Sequence, residues 1–325
     1  MKKNKRIRVL AVIIILVMLF IIANILIFLF YPYFSEFYYY NSPKYDVLKM
    51  QEPVYIMPYI GDIDGEVSED WFFFYEKLVD FYEEEGIPVT FSFYPASIGD
   101  EEFNKIFLKM YEMDNIELMQ KGFRGDAREM EIYKLPYEEQ RSIIKEGQDV
   151  FKQKMAEILR ENNREFSFVE VPISYNQISG IVNNDTERAL IDLGFKMYFD
   201  MFVEGDYAPI DSERDFYVTE YGISFTENGY AGKENRFRTP FEVTREINRF
   251  NREDVKVLEI NDVKIIPLWV HQQDFESVDK ENKLDKEKWN IYTSTMKTLK
   301  NDSKVIFLTP RKLYELKSRG STALF

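Results

Sequence analysis

The sequence contains no cysteine and a single histidine, His271. Without cysteine the chain has no disulfide bond, no thiolate metal ligand and no cysteine nucleophile. A lone histidine excludes a zinc site built from several imidazoles and any mechanism that needs two histidines. Because disulfides are absent, the fold must be stabilised by burial of its hydrophobic residues, which make up 45% of the chain.

Charged residues are absent from positions 9–30, a run of apolar residues near the start of the chain. A helix of that length rises about 33 Å, enough to cross a hydrocarbon core of about 30 Å. Basic residues precede the run and none lies in the ten positions after it, so the positive-inside rule places the N-terminus in the cytoplasm. A cleaved signal peptide is the alternative, but its apolar region is usually shorter, and no small-residue cleavage pattern follows here. We therefore predict one retained transmembrane helix in contact with membrane lipid.

This interpretation divides the chain into four parts. They are a basic cytoplasmic tail (1–8), the transmembrane helix (9–30), an aromatic-rich linker (31–52) and an extracytoplasmic globular region (53–318). Without the five basic residues of the tail, the remainder has 37 basic and 56 acidic residues, a net charge of −19. That charge argues against nucleic acid as a partner and favours neutral or cationic ligands, although it also keeps a domain soluble.

Strand-like and helix-like segments alternate through the globular region. Strands are predicted at 54–60, 87–94, 115–119, 166–171, 195–201, 263–270 and 304–308, with amphipathic helices between them. Strict alternation implies α/β structure with parallel strands joined by helical crossovers, and the number of units favours a distorted (β/α) barrel. The pattern breaks between about 205 and 262, where we expect an irregular insertion with a hairpin at 216–226.

Chemistry in such a barrel lies at the carboxyl ends of the strands. The first strand leads into Asp62 and Asp64, which either bind a metal or do acid–base work, or form a solvated turn. A late strand ends at His271, which is either a catalyst or a hydrogen-bonded structural residue, and Asp274 follows it. Aromatic rings that either stack on sugars or belong to the core are Trp71, Tyr175 and Trp269.

The order of these segments resembles the polysaccharide deacetylase family over roughly residues 53–316. The first strand of that family ends in an Asp-Asp-Gly motif, at the place of Asp62 and Asp64-Gly65. A later family motif, His-Gly-aromatic-x-His, corresponds to the segment Lys121-Gly122-Phe123-Arg124-Gly125, and a downstream aliphatic strand ends in a histidine, as at Val270-His271. The resemblance implies a NodB-like deacetylase barrel that acts on or binds a carbohydrate polymer.

The departures from the family pattern concern its metal. In the family one Asp acts as general base, while a second Asp and two histidines bind a divalent metal. Only Asp64 matches a ligand position, because Lys121 and Gly125 occupy the histidine positions, and Asp62 serves as base only if the motif shifts by one residue. One carboxylate without imidazole holds a divalent metal weakly, so conventional zinc-dependent deacetylation is not expected. Instead, we expect the Lys121 ammonium to pair with Asp64.

The leading hypothesis is a deacetylase-like barrel that binds or acts on cell-surface carbohydrate. The resemblance makes His271 the counterpart of a family histidine that assists as general acid, and places Glu170 where the family has an arginine. The catalytic candidates are Asp62, Asp64 and His271. The substrate-binding candidates are Lys121, Glu170, Tyr175, Trp269 and Asp274.

Two other functions stay open at this point. One is a metal-independent carbohydrate hydrolase that uses two carboxylates, whose separation would set the stereochemical outcome. Its candidates are Asp62, Asp64, Glu117, Glu170 and Asp200. The other is a non-catalytic envelope protein that makes its contacts through the insertion at 205–262, in which case that insertion should expose an apolar patch.

The predicted topology can be tested with reporter fusions after Phe325. Alkaline phosphatase, which is active only outside the cytoplasm, is expected to be active there, and the same reporter fused before Met1 is expected to be inactive. The reverse pattern would contradict the orientation. Mass spectrometry of the membrane-extracted protein should find residues 1–30 still attached, and their loss would identify a cleaved signal peptide instead.

Overall fold

A computed structural model describes residues 53–63, 69–99, 101–125, 129, 131–176, 183–199, 217–219, 222–227, 234–252, 258–260, 263–277 and 284–318, together with Met18. At Asp62, Trp71 and some further positions it describes the backbone only. The anchor predicted at 9–30 therefore lies outside the described residues, Met18 excepted. Within the described residues, no helix has the length and apolar character needed to span a bilayer.

Strands and helices alternate along most of the described chain. The strands are β1 (Val54–Ile63), β2 (Val89–Phe93), β3 (Ile116–Lys121), β4 (Ser174–Asn176), β5 (Met197–Phe199), β6 (Tyr217–Thr219), β7 (Ile223–Ser224), β8 (Leu258–Ile260), β9 (Val263–His271) and β10 (Val305–Phe307). The helices are α1 (Glu69–Glu85), α2 (Glu101–Glu112), α3 (Tyr137–Glu161), α4 (Asn184–Asp192), α5 (Pro240–Arg252), α6 (Lys286–Lys300) and α7 (Pro310–Ser318).

The strands form one sheet in the order β6-β5-β4-β3-β2-β1-β9-β7, and every neighbouring pair along this path is parallel. Beside this path, β10 pairs in parallel with the first residues of β1, and β8 pairs antiparallel with β9. The two end strands, β6 and β7, are separated by only residues 220–222, so their facing ends are at most about 15 Å apart. The prediction of a parallel α/β fold is confirmed, with the strands arranged as a half-barrel.

Side chains alternate between the two faces of the sheet. On the outer face, the Phe93 ring lies 4.8 Å from Phe107 of α2 and 5.3 Å from Phe151 of α3, measured between centroids. On the inner face, Tyr59 of β1 lies 5.6 Å from Phe199 of β5. Because both faces are buried, the strands contain few exposed polar positions, as parallel strands usually do.

Two predictions for single segments are wrong. No strand forms at 166–171; the strand begins later, as β4, and residues 162–173 carry no helix or strand. Phe168 is 72% exposed, so the apolar side chains that suggested a buried strand are not buried. The hairpin at 216–226 does not form either, because β6 pairs with β5 whereas β7 pairs with β9.

The amino edge of the sheet, where the parallel strands begin, contains the buried carboxyl group of Glu117. Its Oε2 atom accepts a hydrogen bond of 2.7 Å from the backbone N–H of Arg311, in the first turn of α7. Burial raises the pKa of Glu117 to about 7, against the opposing effects of that hydrogen bond and of the Arg311 charge. Glu117 thus joins β3 to the N-terminus of α7, where a negative charge is favourable.

The stability of the globular region should therefore depend on the proton of Glu117. Because its pKa is raised on folding, the native state binds more protons between about 4.5 and 7, and the stability that this provides is present below pH 4.5 and is lost as the pH rises through 7. Glu117→Gln keeps the size and shape of the protonated Glu117 side chain but cannot ionise. The measured quantity is the unfolding free energy of wild type minus that of Glu117→Gln. We expect this difference to fall by up to about 3 kcal/mol as the pH rises from about 5 to 8.

Denaturant titrations of the full-length protein in detergent micelles at several pH values measure this difference. The matched control is Glu170→Gln, because Glu170 is an exposed carboxylate that pairs with the same arginine. Because an exposed ion pair contributes little to stability, this control is expected to have an unfolding free energy close to that of wild type. A difference between wild type and Glu117→Gln that does not change with pH would show that the buried carboxyl group titrates normally.

Candidate functional site

The carboxyl edge of the sheet brings together Lys121, the last residue of β3, and His271, the last residue of β9. The strand register places His271 beside Gly61 of β1. A Cβ atom added at Gly61 would lie 2.8 Å from Cδ2 of His271, so a glycine is needed here to leave room for the imidazole ring. The pKa of His271 is lowered by burial and further by the positive charge of Lys121, so the two side chains lie within electrostatic range of each other.

His271 is an uncharged imidazole at neutral pH. Burial lowers its pKa to about 3, and the charge of Lys121 adds to the shift. Only 5% of the residue is exposed, and the Trp269 ring packs against it at 5.0 Å between centroids. The Asp274 carboxylate lies 3.8 Å from Nδ1, too far for a hydrogen bond, and does not offset the cost of burying a cation. His271 is therefore suited to hydrogen bonding rather than to proton donation as an imidazolium.

Asp274 holds the turn that follows β9. Its Oδ2 atom accepts a hydrogen bond of 2.9 Å from the backbone N–H of His271, and its Oδ1 atom accepts one of 3.2 Å from Asn235. The ammonium of Lys288 donates to the backbone oxygens of Asp274 and Glu276 at 2.9 and 3.1 Å. Asp274 is fully buried, so its role in the described structure is to position His271.

Lys121 is the cationic group of the site. Only 3% of the residue is exposed, and burial lowers its pKa to about 7. Its Nζ atom lies 5.8 Å from the centroid of the Tyr94 ring, within the range of a cation–π contact. An amine with this pKa changes charge near neutral pH, so a ligand that interacts with the ammonium would favour its protonated form.

Three further polar residues of the site were missed at the sequence level: Tyr59, Ser92 and Asn176. The Asn176 Nδ2 atom donates a hydrogen bond of 2.7 Å to the backbone oxygen of Phe199, while its buried Oδ1 atom has no hydrogen-bond partner among the described residues. Burial raises the pKa of Tyr59, and the nearby Ser92 hydroxyl partly offsets this. The alternation of side chains along the strands could have identified these residues from the sequence. It places Tyr59 on the same face as Gly61, and the strand register places Asn176 beside Lys121.

The remaining candidates from the sequence do not join this group. Glu170 lies near the amino edge, where it pairs with Arg311. Tyr175 points to the outer face and packs with residues of α3 and α4, and Trp269 is buried in the inner core, although it borders His271. The side chain of Asp62 and all of Asp64 lie outside the described residues, as does Asp200.

The described residues do not fit the divalent metal that the resemblance implies. Among them, no group of three or more His, Asp or Glu side chains lies close enough to hold a metal ion. Gly125, at one histidine position, has a positive φ of 80°, and an added Cβ would lie 3.1 Å from the Tyr94 ring. Lys121, at the other, is a ligand only when its amine is neutral. A histidine pair of the family type therefore cannot be accommodated without moving Tyr94.

Comparisons with known proteins show which solved structures have a similar fold. No protein-family model matches the sequence, and no curated protein matches it. A solved structure from Mycobacterium smegmatis, described as a polysaccharide deacetylase, superimposes with a TM-score of 0.53 at 11% identity and covers 85% of this chain and 94% of its own. The 4-alpha-glucanotransferase from Thermococcus litoralis gives a TM-score of 0.52 at 11% identity, covering 82% of this chain and 41% of that one.

A CE4-family pseudoenzyme from Bacillus anthracis is also similar, with a TM-score of 0.43 and 10% identity over 81% of this chain and 66% of that one. These identities are too low to transfer a reaction or a substrate, since one fold supports many chemistries. What the superposition over nearly the whole M. smegmatis chain shows is the architecture. The globular region of this protein has the polysaccharide deacetylase fold.

Proposed function

We propose that this chain is a membrane-anchored, extracytoplasmic protein that binds cell-surface carbohydrate without conventional zinc-dependent deacetylase chemistry. The observation that carries the proposal is that Lys121 and a neutral His271 lie at the carboxyl edge, where the family resemblance implies a metal-binding arrangement. The fold supports a carbohydrate ligand, because the M. smegmatis structure with this fold is described as a polysaccharide deacetylase. The anchor is supported by the uncharged run at 9–30.

The site offers both donors and acceptors to a hydroxyl-rich ligand. Lys121 provides a charged donor, His271 provides one donor and one acceptor nitrogen, and Asn176 provides an amide oxygen. A sugar hydroxyl both donates and accepts, so it can satisfy such a mixture better than a carboxylate, which only accepts. Hydrogen bonds to a charged donor contribute about 1.5–3 kcal/mol each, enough for selective binding by a small number of contacts.

The charge of the globular region narrows the class of polymer. Its net charge of −19 repels polyanions, whereas neutral polysaccharides are unaffected and polymers with free amino groups are attracted. We therefore propose a neutral or amine-bearing polysaccharide as the ligand. This attraction should weaken at high ionic strength, because exposed charges are screened over about 10 Å in 0.1 M salt.

The alternative, a metal-independent hydrolase, loses two of its candidates. Glu117 and Glu170 lie near the amino edge, at the opposite end of β3 from Lys121. A carboxylate pair would have to come from Asp62, Asp64 and Asp200, so these three define the variants that test hydrolysis. The similarity to a glucanotransferase supports this alternative, because that protein has a similar fold and a name that denotes sugar transfer.

The proposal is tested by two titrations of the full-length protein in nanodiscs. Calorimetry with zinc ions is expected to show no tight one-to-one binding, and calorimetry with soluble chitosan and chitin fragments is expected to show binding that needs Lys121. Lys121→Met should reduce that affinity by about tenfold or more, the loss of one charge-assisted hydrogen bond. The matched control is Lys105→Met, which removes an exposed lysine of α2.

Two results would contradict the proposal. Tight zinc binding would restore metal-dependent catalysis as the leading function. Equal affinities of the two lysine variants for every polysaccharide would show that the Lys121 site does not bind carbohydrate.

Lys121 should also reduce stability, as expected of a buried charge kept for function. Its pKa is lowered on folding, so the native state resists protonation; the destabilisation is fully present below about pH 7 and disappears as the pH rises to about 10.5. Lys121→Met should therefore raise the melting temperature at pH 6, with a smaller gain at pH 9. Thermal unfolding of wild type and of Lys121→Met at the two pH values measures this gain. A lower melting temperature for Lys121→Met than for wild type at pH 6 would show that the amine stabilises the fold.

A further inference from the structure

Two phenylalanine side chains project into solvent from the segment before β4. Phe168 is 72% exposed and Phe166 is 39% exposed, and residues 161–168 are all exposed. We call residues 164–170 the aromatic loop. Neighbouring exposed aromatic side chains of this kind mark contact surfaces more often than isolated exposed residues do.

The aromatic loop is held in place at both ends. At its start, the Arg164 guanidinium binds the Glu112 carboxylate through two contacts, of 2.7 and 2.9 Å. At its end, the backbone N–H of Glu170 donates a hydrogen bond of 2.9 Å to the hydroxyl of Tyr111, and the Glu170 side chain pairs with Arg311. The loop therefore presents its phenylalanines from a fixed position, which lowers the entropic cost of a contact.

Charged side chains of both signs surround the loop. The carboxylates of Glu112 and Glu170 are each paired with an arginine, whereas Glu165 inside the loop is an exposed carboxylate. Lys196 and Lys304 directly precede β5 and β10, at the same amino edge. An edge where arginines and lysines offset several of the carboxylates repels phosphate groups less than an edge without those cations would.

We infer that the aromatic loop contacts the lipid headgroup region of the membrane. This inference rests on the proposed anchor, which would keep the domain close to a bilayer at a high effective concentration, so that a weak contact suffices. The linker at 31–52 leads into β1 at Val54, which begins at the same amino edge as the aromatic loop. Aromatic rings are favoured at the membrane–water boundary, and two exposed rings match a shallow contact rather than deep insertion.

The absence of cysteine permits a direct test on the full-length chain. Single substitutions Phe168→Cys, Phe241→Cys and Met18→Cys are labelled with a nitroxide in vesicles of equimolar phosphatidylcholine and phosphatidylglycerol. The ratio of oxygen to nickel-complex accessibility then reports the depth of each label. Phe241 is the matched control, because it is also an exposed phenylalanine, with 50% exposure. It follows closely after Asn235, which bonds Asp274 at the carboxyl edge, opposite the aromatic loop.

The label at 168 is expected to show a higher oxygen-to-nickel ratio than the label at 241, while the label at 18 shows the highest ratio. Equal ratios at 168 and 241 with a membrane-embedded label at 18 would overturn the loop contact and leave the anchor intact. An aqueous label at 18 would overturn the anchor, and the inference with it. Spin–spin broadening at 168 that persists on dilution with lipid would overturn the inference in favour of contact between two copies of the chain.

Discussion

Strand β1 is the element on which the rest of the sheet depends, because it hydrogen-bonds to three other strands. It pairs with β2 along one side, with β9 along the other, and with β10 at its first residues. Its parallel register with β9 places Gly61 beside His271, and that contact requires a residue without a Cβ atom. A shift of this register by one residue would turn Tyr59 and Gly61 to the outer face and remove the site altogether.

The inner face of β3 carries two buried ionisable groups of opposite type. Glu117 lies at the amino end of the strand and Lys121 at its carboxyl end, with Met119 between them. Burial moves both pKa values towards neutrality, upwards for the acid and downwards for the amine. The two ends nevertheless differ in what they contact: the acid accepts a hydrogen bond from the last helix, whereas the amine lies near an aromatic ring and an imidazole.

The parallel α/β fold could be predicted because the alternation of strands and helices is encoded locally, in the spacing of apolar residues. The positions of Lys121 and His271 at the carboxyl edge could be predicted because each residue ends a clear strand. The segment 166–171 could not, because its apolar composition suits a strand, while the ion pair of Arg164 and the contacts of Glu170 are formed with residues distant in sequence. Ser92 and Asn176 were missed because their importance depends on the register between strands.

The hydrogen bond that joins β3 to α7 has a consequence for sequence variation. The donor is the backbone N–H of residue 311, not its side chain, so any amino acid except proline can supply it. The acceptor is a side chain, so position 117 tolerates far less change. The bond to Glu117 should therefore place no constraint on the side chain at position 311 in relatives of this protein. Changes at 311 should instead accompany changes at 170, because Glu170 is the partner of the Arg311 side chain.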